Sequence, residues 1–185
     1  MRATRLGVVV VILAALASQA WALDFYVRVN GTKQGVFKGE GSGAQWKDWL
    51  PCVGLEYQAS VPLDRDTGLM AGMTQHLPLT ITKRLGAASP QFFQALAGNE
   101  LLKQVDLSLL RLRNDGVQEV YYTLTLRNAT VAQVRLFRSQ GQPDQLPAGD
   151  YEEISFRFQT ISVACPGGNT EATADWRAGG VRGIR

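Results

Sequence analysis

One hairpin pattern constrains the fold of this chain more than any other stretch. The segments "VDLSLLRLR" and "VQEVYYTLTLR" alternate apolar and polar residues, and they flank Asn114-Asp115-Gly116. An Asn/Asp-Gly turn between two alternating segments is a strong signal for an antiparallel β-hairpin. The apolar positions change parity after Leu109, which predicts a β-bulge there. The chain is therefore expected to build an antiparallel sheet.

The same two-residue period recurs along most of the chain and makes it mainly β. Further alternating segments lie at residues 25–29, 53–57, 77–82, 129–137 and 154–163, the last with a parity shift near Gln159. About seven strands result, with spacings typical of a sandwich or a barrel. The Gly- and Ala-rich segment 166–185 is expected to be a flexible C-terminal tail.

A single helix is predicted, at residues 90–97. Ser89 can cap it, Pro90 suits its first turn, and Gly98 ends it. Its apolar residues Phe92, Phe93 and Leu96 are expected to face the core.

Residues 1–22 have the layout of a secretory signal peptide. Arg2 and Arg5 precede an uncharged apolar run, and Ala20-Trp21-Ala22 provides an A-x-A cleavage site. The run is too short for a comfortable membrane anchor. We therefore predict cleavage after Ala22, export to the periplasm or the medium, and no stable membrane insertion of the mature chain. The remaining residues 23–165 make one domain.

The mature chain is nearly neutral. Removing residues 1–22 takes away two arginines and no acid, so the net charge falls from +3 to +1. Lys83, Arg84, Arg111 and Arg113 are scattered and are expected to be solvated strand ends. Without a dense basic run, nucleic acid is not expected as a partner.

The two cysteines, Cys52 and Cys165, both lie in the mature chain. An exported chain can join them in a disulfide, and the alternative is two free thiols that behave as small apolar residues. Sequence alone leaves both alternatives open, because bonding needs close Cα atoms.

The sequence carries little chemistry of catalysis or metal binding. His76 is the single histidine, which excludes multi-histidine metal sites, and it is expected to be an exposed loop residue. Glu152 and Glu153 are adjacent on a strand, so they point to opposite faces and cannot act as a pair. No catalytic residue, metal site or cofactor is predicted, and the protein is not expected to be an enzyme.

Two weaker site signals have structural explanations. "DRDTG", from Asp64 to Gly68, resembles the start of a calcium loop but lacks the later ligands. Trp46 and Trp49 can form a stacking platform for a sugar or a nucleotide, or they can cover one end of a barrel, which we favour.

Residues 60–76 form a long loop, a length typical of functional segments.

The order of these elements resembles the haemolysin-coregulated protein (Hcp) family, the tube protein of bacterial type VI secretion. "DFYVRVNGTKQG" is similar to its opening strand. "LPLTITKRLGAASPQFFQALAGNELLKQVDLSLLR" is similar to its strand, short helix and strand. "VQEVYYTLTLRNATVAQVRL" and "EEISFRFQTISVAC" resemble the two segments that follow. The likeness covers residues 25–165.

The resemblance implies a β-barrel of two packed antiparallel sheets with one short α-helix, assembling into hexameric rings that stack and carry effectors. The loop 60–76 would then be an extended hairpin that reaches a neighbouring subunit. Its apolar residues Leu69, Met70 and Met73 are the predicted subunit contacts. Expected partners are other copies of the chain, secretion-apparatus components and effector cargo.

The signal peptide is unusual for a protein that assembles in the cytoplasm. Two hypotheses therefore stand beside each other: a ring-forming structural protein of the type VI tube, and an exported β-barrel binding module that no longer acts in the apparatus.

Overall fold

The computed structural model describes residues 25–142, 146–176 and 180–183, the last four through their backbone alone. The predicted signal peptide lies outside these residues. The elements are β1 (Phe25–Gly31), β2 (Leu50–Glu56), β3 (Ala59–Ser60), β4 (Gln75–His76), β5 (Leu79–Arg84), α1 (Ser89–Ala97), β6 (Leu101–Leu112), β7 (Gln118–Ser139), β8 (Gly149–Arg157), β9 (Thr160–Cys165), β10 (Thr170–Asp175) and β11 (Gly180–Gly183). The mainly β fold with one helix is confirmed.

Six strands close into a barrel, in the order β7-β6-β1-β2-β5-β8 and back to β7. Closure depends on β7, which is 22 residues long. Its first half pairs with β6 and β9, and its second half pairs with β8. A register irregularity between Val131 and Gln133 lies close to this change of partner. Strands β9, β10 and β11 extend the sheet beyond the barrel.

The predicted hairpin is confirmed in detail. Strands β6 and β7 pair from Leu112 and Gln118 inward, and their register shifts between Leu109 and Leu110, where the parity change predicts a bulge. Gly116 has a φ of +79°, a conformation that glycine adopts at no steric cost.

Two strand predictions are wrong because local patterns do not show a strand's partners. The predicted strand at 129–137 is the second half of β7. The predicted single strand at 154–163 is two strands, β8 and β9, which separate at Phe158 and Gln159. The parity shift near Gln159 marks the point where the chain leaves the pairing with β5 and continues along the first half of β7. Within the segment predicted as a tail, residues 170–175 and 180–183 form strands, and the flexibility of that segment stays a prediction.

Helix α1 packs against the barrel through Phe92 and Ala95, which are buried. The predicted inward position of Phe93 is wrong, since 66% of its surface is exposed. Ser89 does not cap the helix, because its hydroxyl accepts the Gly86 N–H and donates to Glu152. Gly98 ends the helix as predicted, with its N–H bonded to the carbonyl of Gln94.

The core lies inside the barrel and beneath the helix. It is built from apolar side chains that alternate inward along the strands, among them Val27, Val29, Leu50, Ile81, Leu102, Val105, Leu107, Leu126, Ile154 and Phe156. Fully buried aliphatic and aromatic side chains of this kind each contribute about 1.5–3 kcal/mol to folding.

Candidate interaction surface

Residues 59–76 form a hairpin that projects from the barrel, called the hairpin arm below. At its base Ala59 pairs with His76 and Ser60 with Gln75. Farther out, an isolated bridge joins Leu63 to Met70. The segment has few paired residues and no apolar alternation, which explains why its sequence alone reads as a loop.

A turn held by Asp64 closes the arm. The Asp64 carboxylate accepts the N–H groups of Asp66 and Thr67 and the hydroxyl of Thr67, at 2.9–3.0 Å. The hydrogen bonds from the Thr67 N–H and hydroxyl and the Asp66 N–H hold the pKa of this carboxyl below its ordinary value. "DRDTG" is therefore a turn in which Asp64 is occupied by its own backbone. In the part of the chain whose side chains are described, no three potential metal ligands cluster.

The arm exposes large apolar side chains. Met70, with 73% of its surface exposed, and Leu69 lie at the tip, and Met73 lies on the returning segment. Val61, Leu63 and Leu77 are also exposed on the arm or at its base. Several large apolar side chains exposed on one segment of a soluble protein are typical of a contact site. The structure thus brings Leu69 and Met70 together at one end of the arm.

The other end of the arm is packed with aromatic rings. The hydroxyl of Tyr57 and Nδ1 of His76 are 2.6 Å apart, and both rings lie about 6 Å from the ring of Phe158. Burial raises the pKa of the Tyr57 hydroxyl. The expectation that His76 is a freely exposed loop residue is wrong, because β4 places it half-buried against these two rings.

Beside these rings lies a cavity of about 340 Å³, called the base pocket below. It is lined by Thr74, Gln75, His76, Leu77, Pro78, Arg157, Phe158 and Trp176. Trp176 is 60% exposed. Trp176 and Arg157 are not identified from sequence, although the alternation of β8 from Glu152 onward, with Ile154 and Phe156 inward, places Arg157 outward.

Trp46 and Trp49 do not form an exposed platform. Trp46 is only 8% exposed and stacks on Tyr26, with ring centroids 4.2 Å apart. Trp49 meets Trp46 edge to face at 5.3 Å. The pair covers the outer side of β1, which is why Tyr26 is buried although it alternates with the core residues.

Both cysteines are free in the structure. Cys52 lies in β2 inside the core, and burial raises the pKa of its thiol well above the ordinary value. Cys165 is half-buried at the end of β9, and strands β1, β6 and β7 lie between β2 and β9 in the sheet.

A buried ion pair replaces one of the predicted solvated strand ends. Lys83 is 2% exposed, and its Nζ lies 2.7 Å from Oε1 of the fully buried Glu152. Glu153 points outward to Arg135, so the prediction that the two glutamates face opposite sides is confirmed. The alternation along β5 could have predicted that Lys83 is buried, because Leu79, Ile81 and Lys83 lie on the same face of the strand.

A second buried carboxylate fixes the turn after β1. Glu100 accepts the N–H groups of Lys33 and Gln34 and the side-chain amide of Gln34, at 2.6–2.9 Å. Burial by itself raises the pKa of this carboxyl, but the hydrogen bonds from Gln34 and Lys33 and the charge of Lys33 outweigh burial and lower the pKa. No local pattern in the sequence predicts this contact, because Glu100 is 66 residues from Gln34 and 67 residues from Lys33.

Among the described residues, no helix is long and apolar enough to cross a bilayer.

Comparison with known proteins gives consistent results. Residues 26–164 match the family model described as "Type VI secretion system effector, Hcp". The "Major exported protein" of Pseudomonas aeruginosa is 28% identical over 167 residues, which cover 85% of this chain and 97% of that protein.

Solved structures share the fold. The secreted protein Hcp3 from Pseudomonas aeruginosa superimposes with a TM-score of 0.67 at 24% identity, covering 83% of this chain and 98% of that one. Hcp1 from E. coli superimposes with a TM-score of 0.74 at 21% identity, covering 84% and 99%.

Proposed function

The chain belongs to the Hcp family of the type VI secretion system, and from this premise we propose that it is a non-catalytic, ring-forming subunit of the tube type. Six copies would close into a ring, and rings would stack into a tube that carries effectors. The family is one of structural tube proteins rather than enzymes, which agrees with the absence of a catalytic set from the sequence.

One observation of this molecule carries the proposal: the hairpin arm exposes Leu69, Met70 and Met73 away from the barrel. Apolar side chains held out on an arm gain stability only when a partner covers them. A ring forms when one such heterologous contact repeats around an axis and closes. The closed barrel supplies the rigid body from which the arm projects.

The relatives support an exported destination. One is named a major exported protein and another a secreted protein. Together with the signal-like residues 1–22, they support release of this chain from the cytoplasm.

The second candidate is an exported binding module that has left the apparatus. It is favoured by Arg2, Arg5 and the A-x-A site at Ala20–Ala22, because a cleavable signal would send the chain out before any cytoplasmic tube forms. Protein recovered from the medium with Met1 attached would exclude this candidate.

The test replaces the apolar contacts of the arm. In a chain comprising residues 23–185, Met70→Asp with Met73→Asp should convert rings to monomers in size-exclusion chromatography with light scattering. Leu112→Asp is the matched control, since Leu112 is 68% exposed but lies on the β6–β7 hairpin. Unchanged ring mass in the double variant would contradict the role of the arm.

A further inference from the structure

The base pocket is an open site with an apolar interior and a positively charged mouth. Leu77, Pro78, Phe158 and Trp176 supply its apolar and aromatic walls. Its volume of about 340 Å³ is at the small end of ordinary binding pockets, enough for one or two large side chains. Exposure of these aromatic side chains to water is unfavourable in free energy, and a partner that covers them would remove this penalty.

Arg157 provides the charge. It is exposed at the end of β8, and none of the ion pairs among the described side chains includes it. An unpaired guanidinium beside an aromatic pocket favours a ligand that carries a carboxylate next to a large apolar group.

The tip of the hairpin arm has this chemistry. Leu69 and Met70 are exposed there. The neighbouring Asp66 uses its backbone N–H in the turn, while its carboxylate has no partner among the described side chains. The tip therefore presents two apolar side chains and a free negative charge within five residues.

The tip cannot fill the pocket of its own chain. Four residue steps lead from Ser60 at the base to Asp64, where the turn of the tip begins, which is about 13 Å of extended chain at 3.3 Å per residue. The pairing of Leu63 with Met70 holds the two segments of the arm together over this length. Tip and pocket thus lie at opposite ends of one element.

We propose that the arm tip of one copy docks into the base pocket of a second copy, with Asp66 paired to Arg157 and with Leu69 and Met70 against Phe158 and Trp176. This inference rests on the proposed ring-forming function and names the surface that receives the arm. Thioether–aromatic contacts and a charge-assisted hydrogen bond suit these partners. Because every copy both gives a tip and offers a pocket, the contact is heterologous and repeats from copy to copy.

The test exchanges the charges of the two sides. Asp66→Arg places a cation at the tip opposite the cationic pocket, and Arg157→Asp places an anion in the pocket opposite the anionic tip. Each variant alone should lose the assembled species seen for the unchanged chain in light scattering. An equimolar mixture of D66R and R157D should restore it, because alternating copies pair every tip with a pocket of opposite charge.

Two exposed residues away from both surfaces serve as controls. Glu171→Arg and Arg28→Asp make equal changes of charge on β10 and β1, and they should leave the assembly mass unchanged. Restoration by mixing also shows that both variants are folded.

The outcomes separate this inference from the proposed function. If D66R and R157D each assemble like the unchanged chain, the pocket does not receive the tip. The proposal of a ring is then unaffected. If each variant alone is disrupted and the mixture stays disrupted, the pairing of Asp66 with Arg157 is wrong. An unchanged chain that is monomeric overturns both. If the pocket binds a cargo peptide rather than the tip, the peptide should bind with the same affinity to assembled and to disassembled protein. That result would overturn the docking of the tip.

Discussion

Among contacts between single side chains, the buried ion pair of Lys83 and Glu152 is the one whose loss should destabilise the barrel most. Oε1 of Glu152 accepts hydrogen bonds from Lys83 and Ser89, and its Oε2 is buried without a hydrogen-bond partner. Ser89 begins helix α1, so this carboxylate joins the helix to strands β5 and β8. A buried charge is tolerated here only because the opposite charge lies beside it.

Replacing one partner should be far worse than replacing both. Lys83→Met leaves the Glu152 carboxylate buried and unpaired, and we expect a loss of about 3–5 kcal/mol in the free energy of unfolding by urea titration. The double variant Lys83→Met with Glu152→Leu should recover much of that loss. Arg135→Ala, which breaks the exposed pair with Glu153, is the control and should change stability by less than about 1 kcal/mol. A Lys83→Met chain as stable as its parent would refute the buried pair.

Glu100 should make the stability depend on pH in the acid range. Its pKa in the folded protein is below the ordinary value of 4.5. Its contribution is therefore complete well above pH 4.5 and is lost as the pH falls through the lower folded pKa. Glu100→Gln removes the charged acceptor and should reduce the unfolding free energy at pH 7 by about 1.5–3 kcal/mol.

The pH profile distinguishes this mechanism from a loss of packing. Urea titrations between pH 7 and pH 3 should show a smaller acid-induced loss of stability for Glu100→Gln than for the unchanged chain. Glu171→Gln, an exposed glutamate on β10, should follow the unchanged chain. Parallel profiles for the unchanged chain and Glu100→Gln would show that the charge of Glu100 is not used.

At the scale of elements, the Asp64 turn should determine how well the tip of the hairpin arm is ordered. Asp64→Ala removes three hydrogen bonds inside the turn, so trypsin should cleave after Arg65 faster than in the unchanged chain. The barrel does not use this turn, so its thermal unfolding midpoint should stay the same. Asp66→Ala, which keeps the backbone contacts, is the control. Equal cleavage rates for both variants would show that Asp64 does not order the tip.

The elements that sequence predicted correctly are those that a local pattern determines. Asn114-Asp115-Gly116 sets the β6–β7 hairpin, and Gly98 ends the helix, because turns and caps depend on a few neighbouring residues. Local patterns do not report which strand lies alongside, so the continuity of β7 and the break between β8 and β9 were missed. Phe93 was misplaced for a similar reason: the helix presents only a narrow face to the barrel, and Phe92 and Ala95 occupy it.

The sequence identifies the apolar residues of the arm, and their role as subunit contacts stays a prediction. Leu69, Met70 and Met73 stand out because they are apolar residues in a polar stretch, and the structure exposes them on one arm. The base pocket could not be predicted, since it combines residues from β4, β8 and the end of β10 that are distant in sequence. Pairing of β9 with β10 brings Trp176 beside Phe158, and pairing of β5 with β8 brings Arg157 and Phe158 to the foot of the arm.

In the whole molecule, the closed barrel is a rigid body from which the hairpin arm extends. Closure satisfies the backbone hydrogen bonds of the six barrel strands, which removes open edges from that part of the molecule. The proposed assembly through the exposed side chains of the arm would need no rearrangement of the barrel. The family membership and the exposed apolar residues of the arm are the two grounds for the proposed ring.

Native mass spectrometry of residues 23–185, across micromolar concentrations and with light scattering in parallel, distinguishes the proposed ring from a single chain. A ring-forming chain should give a dominant species of six times the mass of one chain. A single-chain mass that persists over the whole concentration range would contradict it.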